Sequence, residues 1–168
     1  LQACIWIRSM TGLNLPQFKA EIVVPTLNAI GLGGDAAVNL LTGTALVESS
    51  LVYLRQVNGP ALGPWQMEPF TENDIWITFL PDPRLGSLKT TMQAMLAPDI
   101  PHTDQLITNW RYACAMARLK YYRSPDPLPA ANDALGQAHT WKRIYNTSLG
   151  AGDIDANHIA LFQQAIEA

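Results

Sequence analysis

The stretch ALVESSLVYLRQVNGPALGPWQMEP, Ala45 to Pro69, joins the end of an apolar segment to a loop rich in glycine and proline. Glu48 stands at the junction, ending the apolar segment. A helical glutamate is ordinarily a solvated charge, and a Gly-Pro loop is ordinarily a turn. The neighbours of Glu48 set it apart. Gly43, Thr44, Ala45, Leu46 and Val47 before it are small or apolar, and so are Leu51 and Val52 after it. A carboxyl in such company is partly desolvated, which disfavours the anion and raises its pKa. A carboxyl that keeps its proton near neutral pH can donate it to a leaving oxygen. Gly59 and Gly63 are expected to leave room for a bulky polymer to approach the backbone. Gln66 offers a donor and acceptors to position it.

Outward from this stretch the apolar periodicity is helical. LPQFKAEIVVPTLNAIGLGG places Phe18, Ile22, Val23, Leu27 and Ile30 near helical spacing; Pro25 inside it predicts a kink or two short helices. Asp35 is the expected N-cap of AAVNLLTGTALVESSL, with Val38, Leu41, Ala45 and Leu46 forming one apolar face. VNGPALG predicts a short hairpin, and TEND predicts a helix start capped by Thr71. LPDPRLGS is a break, SLKTTMQAML a short helix, and QLITNWRYACAMARLKYY one strong helix. Asn132 or Asp133 is the expected cap of ALGQAHTWKRIY. NTSLGAGD reads as a glycine loop, and Asp153 or Asp155 as the cap of the final helix, ANHIALFQQAIEA. The fold class expected is mainly α, a single domain over residues 1–168 with at most a small β-hairpin.

Composition narrows the function. The chain has 168 residues, 48% of them hydrophobic and 15% charged, with a net charge of −3. It is more apolar than an ordinary soluble domain and has no basic field to draw it to nucleic acid. Six of the eleven Lys and Arg fall between Arg111 and Arg143 and read as a solvated helical surface. Cys4 and Cys114 allow one disulfide but no framework, and Cys114, inside an apolar helical run, reads as a buried free thiol. His102, His139 and His158 have no ligand spacing, so no metal site is expected. No apolar run approaches the roughly 18 residues of a membrane span. The opening LQACIWIRSM lacks the pattern of a signal peptide, and the chain reads as beginning inside a longer one.

Glu48-Ser49 followed by GPALGPWQMEP resembles the catalytic signature of the soluble lytic transglycosylases and their goose-type lysozyme relatives. That signature runs Glu-Ser, a spacer, Gly-Ala-x-Gly-x-x-Gln, one or two apolar residues, then Pro. Glu48 and Gln66 are 18 residues apart, and Ala61, Gly63, Met67 and Pro69 fall in register. Pro60 stands in the place of the family's first glycine, and Trp65 where a methionine is commoner. Downstream, Asn109 is followed by Trp110 where the family has an aliphatic residue. RIYNTSLGAG keeps Tyr145 and Asn146 of an Ala-Tyr-Asn-Ala-Gly motif, with Gly150 and Gly152 set further back. The likeness covers residues 36–149. PALGPWQMEP and WKRIYNTSLGAG also resemble a group of tailed-phage and prophage proteins with a lysozyme-like core.

The resemblance implies a lysozyme-like fold and cleavage of peptidoglycan at the bacterial cell wall or periplasm by a virion component, without a cofactor. Glu48 would protonate the oxygen between N-acetylmuramic acid and N-acetylglucosamine and then act as base. Attack by the muramic 6-hydroxyl would give a 1,6-anhydro product, and attack by water a hydrolysed one. Ser49, Gln66 and the Gly59–Gly63 backbone would hold the glycan, and Tyr145 would polarise the acetamido group or orient Glu48. Trp65 is the best placed of Trp65, Trp76 and Trp110 to stack on a sugar, although buried aromatics are the default. Glu68, Glu72 and Asp74 are the candidates for a second carboxylate, which ordinary glycoside hydrolysis requires. Two alternatives stand beside this enzyme. One is a structural capsid, neck or tail protein that keeps the fold without useful activity and binds other virion proteins. The other is a non-catalytic glycan-binding module.

Overall fold

The computed structural model describes residues 12–147 and 154–168. Cys4, the opening LQACIWIRSM, and Gly150, Gly152 and Asp153 of the glycine loop lie outside the described residues. Within them the chain is mainly α-helical and forms no β-strand.

Helix α1 (Leu15–Phe18) is capped by Asn14, whose side chain accepts from the Gln17 amide at 3.0 Å. It runs through a π turn (Lys19–Val23) into α2 (Val24–Ala29). The expected disturbance at Pro25 is this π turn, set just before the residue that cannot join the i→i−4 ladder. Gly31 and Gly34, at φ +70° and +95°, end the run. Helix α3 (Asp35–Ser49) then starts one residue earlier than expected: Gly34 is its N-cap, and Asp35 lies in the first turn, where its charge suits the helix dipole. Nor is α3 apolar on one face only. From Ala37 to Ala45 every residue is buried, as in a helix enclosed by the core.

After α3 the chain makes two left-handed residues, Ser50 and Leu51. The predicted hairpin is reduced to isolated antiparallel bridges, Arg55 with Leu62 and Leu62 with Met67. A further rung toward the turn would pair Val57 with Pro60, which has no N–H to give. Helix α4 (Pro69–Asp74) begins at Pro69, so Thr71 is inside it and not its cap; the fixed φ of proline suits the first helical position. A π turn (Ile75–Phe79), a 3-10 turn (Pro83–Leu85) capped by Asp82, and α5 (Gly86–Met95) follow. A second 3-10 turn spans His102–Asp104.

The helix expected from Gln105 to Tyr122 is broken. It forms α6 (Gln105–Thr108) and α7 (Trp110–Tyr122), with Asn109 between them at φ −123°, ψ 86°. Asn109 Oδ1 accepts from the Tyr112 amide at 3.1 Å, while Nδ2 donates to the Met95 carbonyl at 2.8 Å. Its side chain outcompetes helix continuation. Asp133 caps α8 (Ala134–Thr140), which continues into a π turn (Trp141–Tyr145). Asp155 and His158 form a capping box on α9 (Ala156–Glu167).

Helix α3 packs most extensively against α9. A Cβ on Gly43 would lie 2.2 Å from the Phe162 ring, so this close approach needs a glycine. Among the described residues, Leu40, Leu41, Ile75, Met92, Leu106, Met116 and Phe162 belong to one apolar cluster. Cys114 is a buried free thiol, and burial pushes its pKa up. Arg118 corrects the reading of its basic segment as solvated surface: it is 7% exposed, and its Nε donates to the Leu32 carbonyl at 3.1 Å. Among the described residues, no helix is long and apolar enough to cross a membrane.

Candidate functional site

Because α3 is enclosed until Ala45, its last turn delivers Glu48 to the edge of the core. There the carboxylate lines a cleft of about 200 Å³ together with Gln56, Gln66, Glu68, Lys120 and Tyr145. The Glu48 carboxyl is half-buried, and desolvation lifts its pKa from 4.5 to about 6. Three weaker influences act the other way: a hydrogen bond from Trp141, and the charges of Lys120 and Lys142. The Trp141 indole N–H donates to Glu48 Oε1 at 2.7 Å. An N–H fixes that oxygen as an acceptor, so the acid proton of the neutral form belongs on Oε2.

Gln66 reaches the cleft through a strained backbone, at φ +44°. Its Nε2 donates to the Gly63 carbonyl at 2.8 Å, which ties the side chain to its own turn. Tyr145 lines the cleft but does not hold Glu48. Its buried hydroxyl donates to the Trp65 carbonyl at 2.8 Å, and its ring stacks on Tyr121 with centroids 5.3 Å apart. The group that holds the acid is Trp141.

The other residues expected at the site lie outside the cleft lining. Ser49 is buried; its hydroxyl donates to the Ala45 carbonyl at 3.0 Å and accepts from the Leu51 amide at 3.1 Å, finishing α3. Trp65 is 1% exposed, donates to the Leu41 carbonyl at 2.9 Å and packs on Phe18, so its ring belongs to the core. The glycines do not open space for a polymer. A Cβ on Gly63 would fall 1.9 Å from the Leu106 carbonyl oxygen, and one on Gly59 would fall 2.1 Å from Gln56 Oε1. Each glycine admits the protein's own atoms.

Of the second-carboxylate candidates, exposed Glu68 lines the cleft. Asp74 is paired with Arg123 at 2.6 Å. Glu72 is wholly buried and receives Tyr112, Trp76, His102 and Thr103. Trp76 is bound into that network through Glu72 and Tyr112, and Trp110 donates to the Ile107 carbonyl at 2.8 Å. Among the described residues, no three His, Cys, Asp or Glu side chains are grouped to hold a metal ion.

Sequence reading passed over Lys120, Trp141 and Gln56. Lys120 and Trp141 lie 72 and 93 residues from Glu48, with no local pattern to connect them. Gln56 stands inside the quoted stretch, and its proximity to Gln66 was the available signal. No model of a known protein family, no curated protein and no solved structure matches this chain.

Proposed function

We propose that this protein cleaves the glycan strands of peptidoglycan, as a lytic transglycosylase or lysozyme-like muramidase, with Glu48 as the general acid and then the base. The observation that carries this reading is a half-buried carboxyl with its pKa raised to about 6, at the rim of a polar cleft that also holds Gln66 and Tyr145. Such an acid is protonated in a useful fraction below neutral pH and returns to the anion once it has given its proton away. With Trp141 on Oε1, the proton leaves from Oε2 to the glycosidic oxygen. The carboxylate left behind lies in the field of Lys120 and Lys142, which favours it. Release of the proton is thereby matched to the charge the cleft can accept. Glu68 is the carboxylate in the same cleft available to activate water; without its help, the muramic 6-hydroxyl closes the 1,6-anhydro ring. The lysozyme-like assignment of the helical fold and the virion location rest on the sequence resemblance and belong to the same proposal.

The test is digestion of purified peptidoglycan by the wild type beside Glu48→Gln, with released muropeptides identified by mass spectrometry. Glutamine keeps the acceptor for Trp141 and removes the proton, so release is expected to fall by about 100-fold or more. Anhydro ends would identify a transglycosylase, and hydrated ends a lysozyme that calls for Glu68. A folded, monomeric wild type that releases nothing would overturn the enzyme.

A second reading, a structural virion component, is favoured by one feature. Val52, Tyr53, Leu54 and Val57 on the loop after α3 are exposed, as are Phe70 on α4 and Ile77, with Phe70 at 78%. Apolar side chains presented in this number suit burial against other proteins.

A further inference from the structure

Lys120 sits on α7 with its side chain half-buried, and its ammonium faces the cleft that holds Glu48. Nζ donates to the Tyr145 carbonyl at 2.6 Å and lies 4.2 Å from the centroid of the Tyr145 ring. An ammonium has three protons to donate. Among the described residues one is taken by that carbonyl, and no carboxylate forms an ion pair with Lys120. Glu48 and Glu68 act on it only at longer range, while burial opposes its charge. The site is therefore a fixed, partly desolvated cation with donors to spare. It is held in place by contacts to a carbonyl and a ring that leave its charge uncancelled. Besides Ala61 and Tyr145, the rest of the lining is neutral amide and hydroxyl, from Gln56, Gln66, Thr71, Asn146 and Thr147, together with the two acids. A neutral sugar offers the amides, hydroxyls and ammonium hydrogen-bond partners but brings no counter-charge to the ammonium.

We propose that Lys120 is a specificity-determining residue that takes a carboxylate of the substrate, so that the cleft prefers acidic amino-sugar glycans over neutral ones. The inference rests on the glycan-cleaving reading above and names the substrate feature that reading leaves open. Two sources of the carboxylate are chemically equivalent at an ammonium: the lactyl group on the muramic ring, and a free carboxylate of the peptide attached to it. A charge-assisted hydrogen bond in a half-buried cleft is strong enough to be read as affinity.

The experiment is calorimetric titration of the wild-type chain with three ligands that contain no muramic-to-glucosamine bond to cleave. They are the N-acetylglucosaminyl-N-acetylmuramic acid disaccharide with a free lactyl carboxylate, the same disaccharide with that group as a simple amide, and the disaccharide carrying a dipeptide with a free carboxylate. The acid is expected to bind at least about tenfold more tightly than its amide. That margin is expected to shrink as salt rises. Lys120→Gln retains a donor for the Tyr145 carbonyl and removes the charge; it is expected to bring acid and amide to equal affinity. Lys120→Arg is expected to restore most of the preference. A thermal melt of each variant separates loss of the margin from loss of the fold. If the dipeptide form binds best and loses its margin in Lys120→Gln, the peptide is the source of the carboxylate. Equal binding of acid and amide by the wild type overturns the role of Lys120 and leaves the glycan reading intact, as does a preference that survives Lys120→Gln. Failure of all three to bind overturns both.

Discussion

Two glutamates, 24 residues apart, are buried by this fold in opposite ways. Glu72 on α4 has no exposed surface, and its carboxylate meets four side-chain donors: Tyr112, Trp76 at 3.1 Å, His102 at 2.6 Å and Thr103 at 3.1 Å. Glu48 at the end of α3 is less deeply placed, yet among the described residues it receives one donor, Trp141 at 2.7 Å, and it faces a cleft. Burial alone therefore does not make an acid. A buried carboxyl group met by several protein donors is a structural tie between elements. One that is desolvated and only partly met is biased toward its protonated form and free to exchange a proton with whatever enters. The molecule holds α4, α7 and the His102–Asp104 turn together with the first kind and sets the second at the rim of its cleft.

The largest effect expected from this contrast is on stability at Glu72. Glu72→Ala takes the acceptor from four donors, of which Trp76 keeps Tyr112, and each buried donor left unsatisfied costs about 1–3 kcal/mol. Urea unfolding at neutral pH measures it. Glu72→Gln keeps one carbonyl oxygen but places an amide N–H₂ among donors, and is expected to lose a smaller part. Destabilisation below about 1 kcal/mol in Glu72→Ala would mean that the four donors find water in its place, and the distinction between the two glutamates would weaken.

The same contrast explains what could be read in the sequence. The mainly helical fold, the break at Gly31–Gly34 and the caps at Asp133 and Asp155 follow from local chemistry, and the structure has them. Glu48 and its desolvation were legible because the small and apolar residues around it are its sequence neighbours. Glu72 looks the same as Glu68 in the string PWQMEPFTEND; one is exposed at the cleft and the other wholly buried, because its donors arrive from 4 to 40 residues away. The break at Asn109 was missed because an asparagine mid-helix is tolerated unless its side chain finds backbone partners, and one of these, Met95, lies on another element. Ser49 matched a motif residue and Trp65 stood within the motif where a methionine is commoner, but their side chains are spent on the Ala45 and Leu41 carbonyls. Motif register places a residue along the chain and leaves its direction to packing.

A smaller effect, about 2 kcal/mol, is expected from the ionisation of Glu48. Its folded pKa, about 6, lies above the 4.5 of the free side chain, so the native state binds this proton more tightly than the unfolded state. The stability this provides is full below about pH 4.5 and is lost as pH rises through 6. Glu48→Gln has no proton to lose. Relative to the wild type it is therefore expected to gain up to about 2 kcal/mol between pH 4 and pH 7, measured by urea unfolding at intervals across that range. A difference that stays flat would show that the carboxyl is as well accommodated folded as unfolded, and Glu48 would join Glu72 as a structural group.

The finest test removes the indole donor of Glu48. Trp141→Phe keeps an aromatic ring against Phe162 and His158 and deletes the indole N–H. That hydrogen bond favours the anion, so its loss is expected to raise the Glu48 midpoint from about 6 by up to about one unit, on the order of 1 kcal/mol. The carboxyl carbon-13 resonance of Glu48 reports the midpoint directly, whether or not the protein cleaves glycan. If it does, the basic limb of the pH–rate profile moves by the same amount, because cleavage requires the protonated acid. A role in packing alone predicts a lower melting temperature with the resonance midpoint unmoved. A midpoint that rises while the fold survives places Trp141 as the positioning residue of the acid, the counterpart at Glu48 of the four donors at Glu72.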